Sequence, residues 1–218
     1  PEAVLKKAQA ELLNWHGCGM SVMEMSHRGS QFKEIYLDAR ERFKRLLGVP
    51  ETHDVLFLQG GATTQFAAIP MNLIGKAGAS YAITGNFSGI AAKEAEKYGR
   101  VSVAWDGTEE NPRQEELNIE PGVSYFHYCA NNTIYGTAWD YVPETGGALL
   151  VCDMSSEIMS RPVDVASYAL IYAGAQKNIA PAGLTVVIVD RFYAGHERPD
   201  TPQIMSYQKQ INKDSMLN

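Results

Sequence analysis

The sequence predicts an α/β protein: a mainly parallel, seven-stranded sheet with helices on both faces, a three-layer αβα arrangement. Three observations carry this. Short apolar runs alternate with helical patterns along most of the 218 residues. A hydrophobic fraction of 45% against 20% charged is that of a chain with a core to bury. The residues with chemical potential fall just after apolar strand runs, where open α/β sheets bind ligands.

The elements follow in order. Residues 2–14 read as a helical stretch directly after Pro1, which is no natural start, and Asn218 closes an irregular polar segment. The chain is therefore expected to be a piece of a longer protein. Residues 31–47 place Phe32, Ile35, Tyr36, Ala39, Phe43, Leu46 and Leu47 on one face at a period of about 3.6. Val49-Pro50 stops that helix, because the residue before a proline is pushed out of the helical region. Strand 55–58 leads into 64–74, apolar nearly all round and so a buried helix. Strand 80–84 precedes helix 87–98, whose Lys93, Glu94, Glu96 and Lys97 form an ordinary solvent face. The remaining strands are 101–104, 124–128, 148–152, 169–173 and 184–189. Residues 106–122, polar with two prolines, read as a surface connection, and 190–218 has weak periodicity and is expected to leave the sheet. No internal repeat or low-complexity segment is visible.

Charge and composition exclude some functions. A net charge of −6 without a basic cluster argues against a nucleic-acid surface. No apolar run approaches the roughly 20 residues of a membrane span, and no signal peptide is recognisable. Cys18, Cys129 and Cys152 have neither paired nor metal-like spacing; they read as buried thiols of a reducing compartment, which places the protein in the cytoplasm. The five histidines show no metal spacing, and His53 and His127 read as structural.

Two strand ends stand out. Ala-Leu-Ile-Tyr-Ala-Gly-Ala-Gln-Lys-Asn (169–178) breaks at Gly174 and puts Lys177 three residues on, while the apolar run 148–152 ends in Asp153. These are the two protein groups that pyridoxal phosphate chemistry needs. A lysine amine forms the Schiff base with the aldehyde, and an aspartate keeps the pyridine nitrogen protonated so that the ring acts as an electron sink. The small residues Gly174, Ala175, Ala180, Ala182 and Gly183 are expected to bury the ammonium and ready it for imine formation. Gln59-Gly60-Gly61-Ala62-Thr63-Thr64 lets a backbone approach a phosphate at a helix start, with two hydroxyl donors; it reads equally as a glycine turn with a helix cap. In Thr84-Gly85-Asn86-Phe87 the aromatic either stacks on a flat ring or sits in the core, the commoner fate. Asn131-Asn132-Thr133 offers a hydroxyl to a cofactor oxygen or is simply turn chemistry. In Met25-Ser26-His27-Arg28-Gly29-Ser30 a serine caps the next helix, and His27-Arg28 is an anion site or a solvated pair.

With these residues in place, the chain resembles the phosphoserine aminotransferase family, of the aspartate-aminotransferase fold type (fold type I, class V). The most specific pieces are Ser-Val-Met-Glu-Met-Ser-His-Arg, Phe-Leu-Gln-Gly-Gly-Ala-Thr-Thr-Gln-Phe, Val-Cys-Asp-Met-Ser-Ser, Ser-Arg-Pro-Val-Asp-Val and Ile-Tyr-Ala-Gly-Ala-Gln-Lys-Asn. The resemblance implies that residues 1–218 are the large pyridoxal 5'-phosphate domain, with an N-terminal Gly-Pro-Ala segment before it and a small C-terminal domain after it. It implies Lys177 as the Schiff-base lysine and Asp153 as partner of the pyridine nitrogen. Ala62 and Thr63 would hold the cofactor phosphate through backbone N–H groups beside Gln176, Thr133 would contact the ring hydroxyl, and Phe87 would take the stacking position. His27 and Arg28 would bind substrate anion in the other subunit of a homodimer, and Asn218 would reach the neighbouring cofactor phosphate. The implied reaction is amino transfer between O-phospho-L-serine and 2-oxoglutarate, giving 3-phosphohydroxypyruvate and L-glutamate in serine biosynthesis. Thr63 departs from members with an arginine there. That departure keeps open an aminotransferase for a non-phosphorylated amino acid, and the missing C-terminal part keeps open a silent cofactor-binding or dimerisation module.

Overall fold

The structure, a computed structural model, describes residues 1–217, so the expectation for Asn218 lies outside the described residues. The chain divides into two compact units, Pro1–Phe43 and a second from Lys44 onward. In the first, α1 (Glu2–Glu11) buries none of its described residues and ends three residues short of the expected stretch. A short 3-10 turn, Val22–Glu24, is fixed by a reciprocal cap: Ser21 Oγ accepts from the Met23 N–H at 3.1 Å, and the Ser21 N–H donates to Glu24 Oε2 at 2.9 Å. Helix α2 (Ser30–Leu47) begins one residue earlier than its apolar period indicates.

The second unit holds the sheet. Strands β1 (His53–Leu58), β2 (Ala79–Ile83), β3 (Val101–Asp106), β4 (Tyr125–Cys129), β7 (Leu149–Asp153), β8 (Leu170–Gly174) and β9 (Thr185–Asp190) lie in the order β1-β9-β8-β7-β4-β2-β3. A small separate ladder, β5 (Asn131–Asn132) with β6 (Thr137–Ala138), follows β4 and was not legible as strand. All pairs from β8 to β3 are parallel, and β9 runs antiparallel to both neighbours. The carboxyl ends of β1, β2, β4, β7 and β8 therefore share one edge. Every residue of β4 and β8 is buried, as strands covered on both faces require, while β3 at the edge leaves Val103 half-exposed.

Helices α3 (Gly61–Leu73), α4 (Asn86–Ala95) and α5 (Tyr207–Asn212) build the main core on one face, against Leu56, Tyr81, Tyr125, Val151, Tyr172 and Val187. Helix α3 starts three residues before the expected 64, and α4 ends three before 98. The opposite face packs Tyr128 edge-on to Trp139 (4.9 Å) and bonds its hydroxyl to Tyr168 at 2.9 Å.

Residues beyond β9 leave the sheet as expected, yet α5 returns to it. Its anchor is Asn72 of α3, buried at 2% exposure. The Asn72 side-chain amide donates to Ala68 O and Met205 O, both at 2.7 Å, and its carbonyl accepts from the Tyr207 N–H at 3.1 Å. Asn72→Ala is expected to cost about 2–4 kcal/mol in urea unfolding, since it strands buried backbone groups. Amide exchange at Tyr207 should rise with it; an unchanged midpoint would show that α5 docks without this bond.

Candidate active site

A cleft opens at the shared carboxyl edge of the sheet, lined by the first turn of α3, residues 84–88, the β5–β6 hairpin and the turns after β7 and β8. Seven of the residues singled out from sequence line it: Ala62, Thr63, Phe87, Thr133, Asp153, Gln176 and Lys177. They come together because β1, β2, β4, β7 and β8 end side by side.

Lys177 corrects one expectation. Its turn is held by the Ala175 N–H on Leu184 O and the Ala180 N–H on Ala175 O, both at 2.9 Å. This carries the side chain outward, and Lys177, Ala180, Ala182 and Gly183 are exposed rather than walled in. The ammonium donates to Thr133 Oγ1 at 2.7 Å and stands 5.4 Å from the centre of the Phe87 ring. The amine is thus positioned by partners, not by burial.

Asp153 is the last residue of β7 rather than the first beyond it, and only 8% exposed. Its Oδ1 accepts from the Ser155 N–H at 2.8 Å. Ser155 Oγ in turn accepts from the Gly174 N–H at 2.9 Å, tying the ends of β7 and β8 together. Burial raises the Asp153 pKa above the ordinary carboxylate value, and the Ser155 bonds, the Tyr172 hydroxyl and Lys177 only partly oppose it. The carboxylate therefore sits in a place that favours a cation beside it.

Helix α3 opens on Gly60 at φ 92°, a left-handed conformation that suits glycine. A Cβ there would overlap the Thr64 hydroxyl, which donates to Gly60 O at 2.6 Å. The Thr64 hydroxyl is consequently turned back on the chain, and of the two threonines Thr63 faces the cleft. Among the described residues no side chain caps this helix, so its first N–H groups point at the cleft unpaired by a cap.

Phe87 is 47% exposed in the first turn of α4, so the core reading of this aromatic fails. Ser88 fixes the turn: its Oγ accepts from the Thr84 N–H and donates to Gly85 O, both at 2.9 Å. The Asn132 amide donates to Thr84 O and packs where a Cβ on Gly85 would lie. Asn132 is thus scaffolding, while Thr133 beside it meets the lysine. Ser155 and Ser88 escaped the sequence reading, whereas the turn chemistry read at Asn131-Asn132 fits Asn132; the Asp-x-Ser spacing at a strand end was the available signal for Ser155. His27 and Arg28 belong to the first unit, just before α2, where the Arg28 N–H donates to Ser26 Oγ at 3.2 Å. Ser26 thus serves this turn rather than capping α2.

An exposed lysine amine, a buried carboxylate disposed toward a cation, an exposed aromatic face and an uncapped helix start define a site for a flat, partly cationic, anion-tailed ligand. The chain belongs to the class-V aminotransferase family, whose model matches residues 1–201. More particularly, it is 49% identical over 223 residues to a phosphoserine aminotransferase of Laribacter hongkongensis, covering all of this chain and 62% of the relative. Among solved structures it superposes on phosphoserine aminotransferase from Bacillus circulans subsp. alkalophilus with a TM-score of 0.95 at 40% identity, covering 100% of this chain and 62% of that one. A PLP-bound phosphoserine aminotransferase from Trichomonas vaginalis gives a TM-score of 0.93 at 38% identity, with 100% and 63% covered. The resemblance drawn from the motifs is borne out. The chain spans about three-fifths of the length of the curated relatives it matches (62%).

The Asp153 environment has a pH signature. A carboxyl with a raised folded pKa favours the folded state fully below its unfolded pKa and loses that contribution as pH rises through the folded value. In ligand-free protein the melting temperature of Asp153→Asn should therefore gain on wild type as pH rises out of the ordinary carboxylate range. Melting curves across pH decide this; a wild type that gains instead would show that the ionised carboxylate is well satisfied.

Proposed function

We propose that this chain is the large pyridoxal 5'-phosphate domain of a cytoplasmic homodimeric aminotransferase, and that the whole protein transfers an amino group between O-phospho-L-serine and 2-oxoglutarate, yielding 3-phosphohydroxypyruvate and L-glutamate. The observation that carries the reading is the pairing, across one cleft, of the Lys177 amine with a buried Asp153 whose surroundings call for a cation. The names of the relatives supply the substrate. The three cysteines, free thiols in the structure, support a reducing compartment. Among the described residues no helix is long and apolar enough to cross a membrane.

When bound, pyridoxal phosphate supplies an electron sink for the pair of electrons left at the substrate α-carbon. The residues of the chain do the rest. The first-turn N–H groups of Ala62 and Thr63 hold the phosphate at the dipole end of α3, with Gln176 beside them. Phe87 would support the ring and Thr133 would offer its hydroxyl to it. Asp153 would hold a proton at the ring nitrogen, a cation that would answer the buried carboxylate. The Lys177 amine would hold the cofactor at its aldehyde and, when free, would take the proton from the substrate α-carbon as general base. His27 and Arg28, from the other subunit, grip the substrate anion.

In full-length protein, borohydride should trap a pyridoxyl group on Lys177, and Lys177→Ala should lose it. A trapped adduct on another lysine overturns the assignment. Parallel assays with phosphoserine, serine and alanine test the substrate. Faster turnover of serine or alanine would favour the non-phosphorylated reading that Thr63 permits, and no turnover of any would leave a silent module.

A two-fold dimer with shared sites predicts complementation. Arg28→Ala and Lys177→Ala homodimers should each be inactive, whereas their mixed dimer has one site with both native residues and should recover activity once subunits exchange. Activity at background after demonstrated exchange would place Arg28 within its own subunit or outside the mechanism.

A further inference from the structure

Behind Asp153 runs a buried polar row that the reaction above leaves unused. Tyr172 of β8 is the register partner of Asp153 on β7, so both side chains leave the sheet on the face covered by α3. The Tyr172 hydroxyl is near enough to the Asp153 carboxylate to favour its ionised form. On its far side lies His127 of β4, 1% exposed, with Nε2 2.9 Å from the Tyr172 oxygen. The imidazole is stacked on Tyr81 at 4.7 Å, and Tyr81 bonds Tyr125 at 2.7 Å. His127 Nδ1 has no hydrogen-bond partner among the described residues.

These contacts set the direction of every proton. Tyr172 has one hydroxyl hydrogen, and an ionised carboxylate only accepts, so the arrangement that favours the carboxylate turns that hydrogen toward Asp153. Its oxygen must then accept from His127, which requires the Nε2–H tautomer with Nδ1 bare. The other tautomer would draw the Tyr172 hydrogen away from Asp153 and leave a buried Nδ1–H unpaired. Burial keeps the imidazole neutral, its pKa lowered to about 3, and holds the Tyr172 phenol protonated well past its usual range. The other titratable groups that act on Asp153 and Tyr172 are Cys129 on β4, Cys152 on β7, Tyr81 on β2 and Lys177 after β8. Burial pushes the thiols and Tyr81 up into their neutral forms, so among these Lys177 is the charged neighbour.

We propose that Tyr172 and His127 are positioning residues: a fixed hydrogen-bond relay, His127 to Tyr172 to Asp153, that holds the Asp153 carboxylate ionised and aimed at the ring nitrogen. This rests on the pyridoxal phosphate reading for its consequence, but the relay itself is testable without it. Nothing else on the buried face of β8 performs the task, since Leu170 two residues back is apolar.

The test titrates the 13C carboxyl signal of Asp153 in full-length protein, assigned by its loss in Asp153→Asn, first with pyridoxal phosphate bound and again after its removal. Tyr172→Phe should move that titration to higher pH in both states. His127→Phe, which keeps the stack on Tyr81 but removes the donor, should move it in the same direction by less. In the loaded enzyme Tyr172→Phe should lower kcat roughly 10- to 100-fold, the worth of one hydrogen bond to a charged group. KM should change little, because the phosphate and anion contacts are untouched. An Asp153 titration identical to wild type in both variants overturns the relay, even if their melting temperatures fall. A shifted titration in a protein that takes up no pyridoxal phosphate would uphold the relay and overturn the cofactor reading instead.

Discussion

The parallel pairing of β7 with β4 and β8 is the constraint on which the site depends. Register places Cys129, Asp153 and Tyr172 as neighbours across three strands, and one slipped residue would turn Asp153 to the other face of the sheet. Because β1 and β2 end at the same edge, the start of α3 and the start of α4 are delivered to the same cleft. Strand β9, running the opposite way, contributes no carboxyl end there; it stitches β1 to β8 and lets a strand early in the sequence join the far side of the sheet. The turns that follow these five strands thus converge on the cleft, and side chains lock them. Ser155 spans β7 and β8, Ser88 closes the turn before α4, and Asn132 ties the β5–β6 hairpin to Thr84. Such supports hold the side chains of the cleft in fixed positions.

What the sequence disclosed follows from which forces are local. Apolar runs bounded by turn residues revealed all seven strands of the main sheet, because burial on both faces leaves a compositional trace. Strand and helix ends were legible to within about three residues, the usual limit where capping rather than periodicity decides. The misses have physical causes. The β5–β6 ladder is two residues long on each side and carries no period. Helix α5 is held by Asn72, 135 residues away from Tyr207 in sequence, and no local pattern announces such a bond. In the site, Lys177 and Asp153 were legible as residue types at strand ends, but exposure was not. Small neighbours suggested a closed wall around Lys177, whereas the turn that carries it projects into the cleft. Phe87 shows the reverse: a lone phenylalanine is ordinarily core, and only the lock at Ser88 keeps it outside.

The site also departs from what stability alone would select. A helix start lacks a capping side chain, a carboxylate is buried without a full set of charge partners, and Phe87, Ile134 and Tyr135 stand exposed near one another in sequence or around one cleft. Each carries a cost in the free protein. Functional sites commonly collect such departures from local consistency. Their cause here is shared, since the same edge of the sheet that gathers the strand ends also denies them the cover that the helical faces provide.

Under the proposed reading, one ligand relieves these costs together. A phosphate at the start of α3 accepts from the uncapped N–H groups; a flat ring covers Phe87; a protonated ring nitrogen gives Asp153 its missing cation. The three features line one cleft, and together they suit a molecule with an anionic tail, a planar body and a cationic edge. A ligand with the charge distribution reversed would worsen the first and the last. The burial of Asp153 then has two opposite effects, depending on occupancy: it disfavours the carboxylate in the free protein and strengthens its attraction to the ring nitrogen in the loaded one, because low dielectric magnifies both. A surface aspartate would avoid the first effect and forfeit the second, which is why the carboxylate belongs at the inner end of the cleft while the lysine, which must exchange partners with an incoming amine, belongs at its mouth.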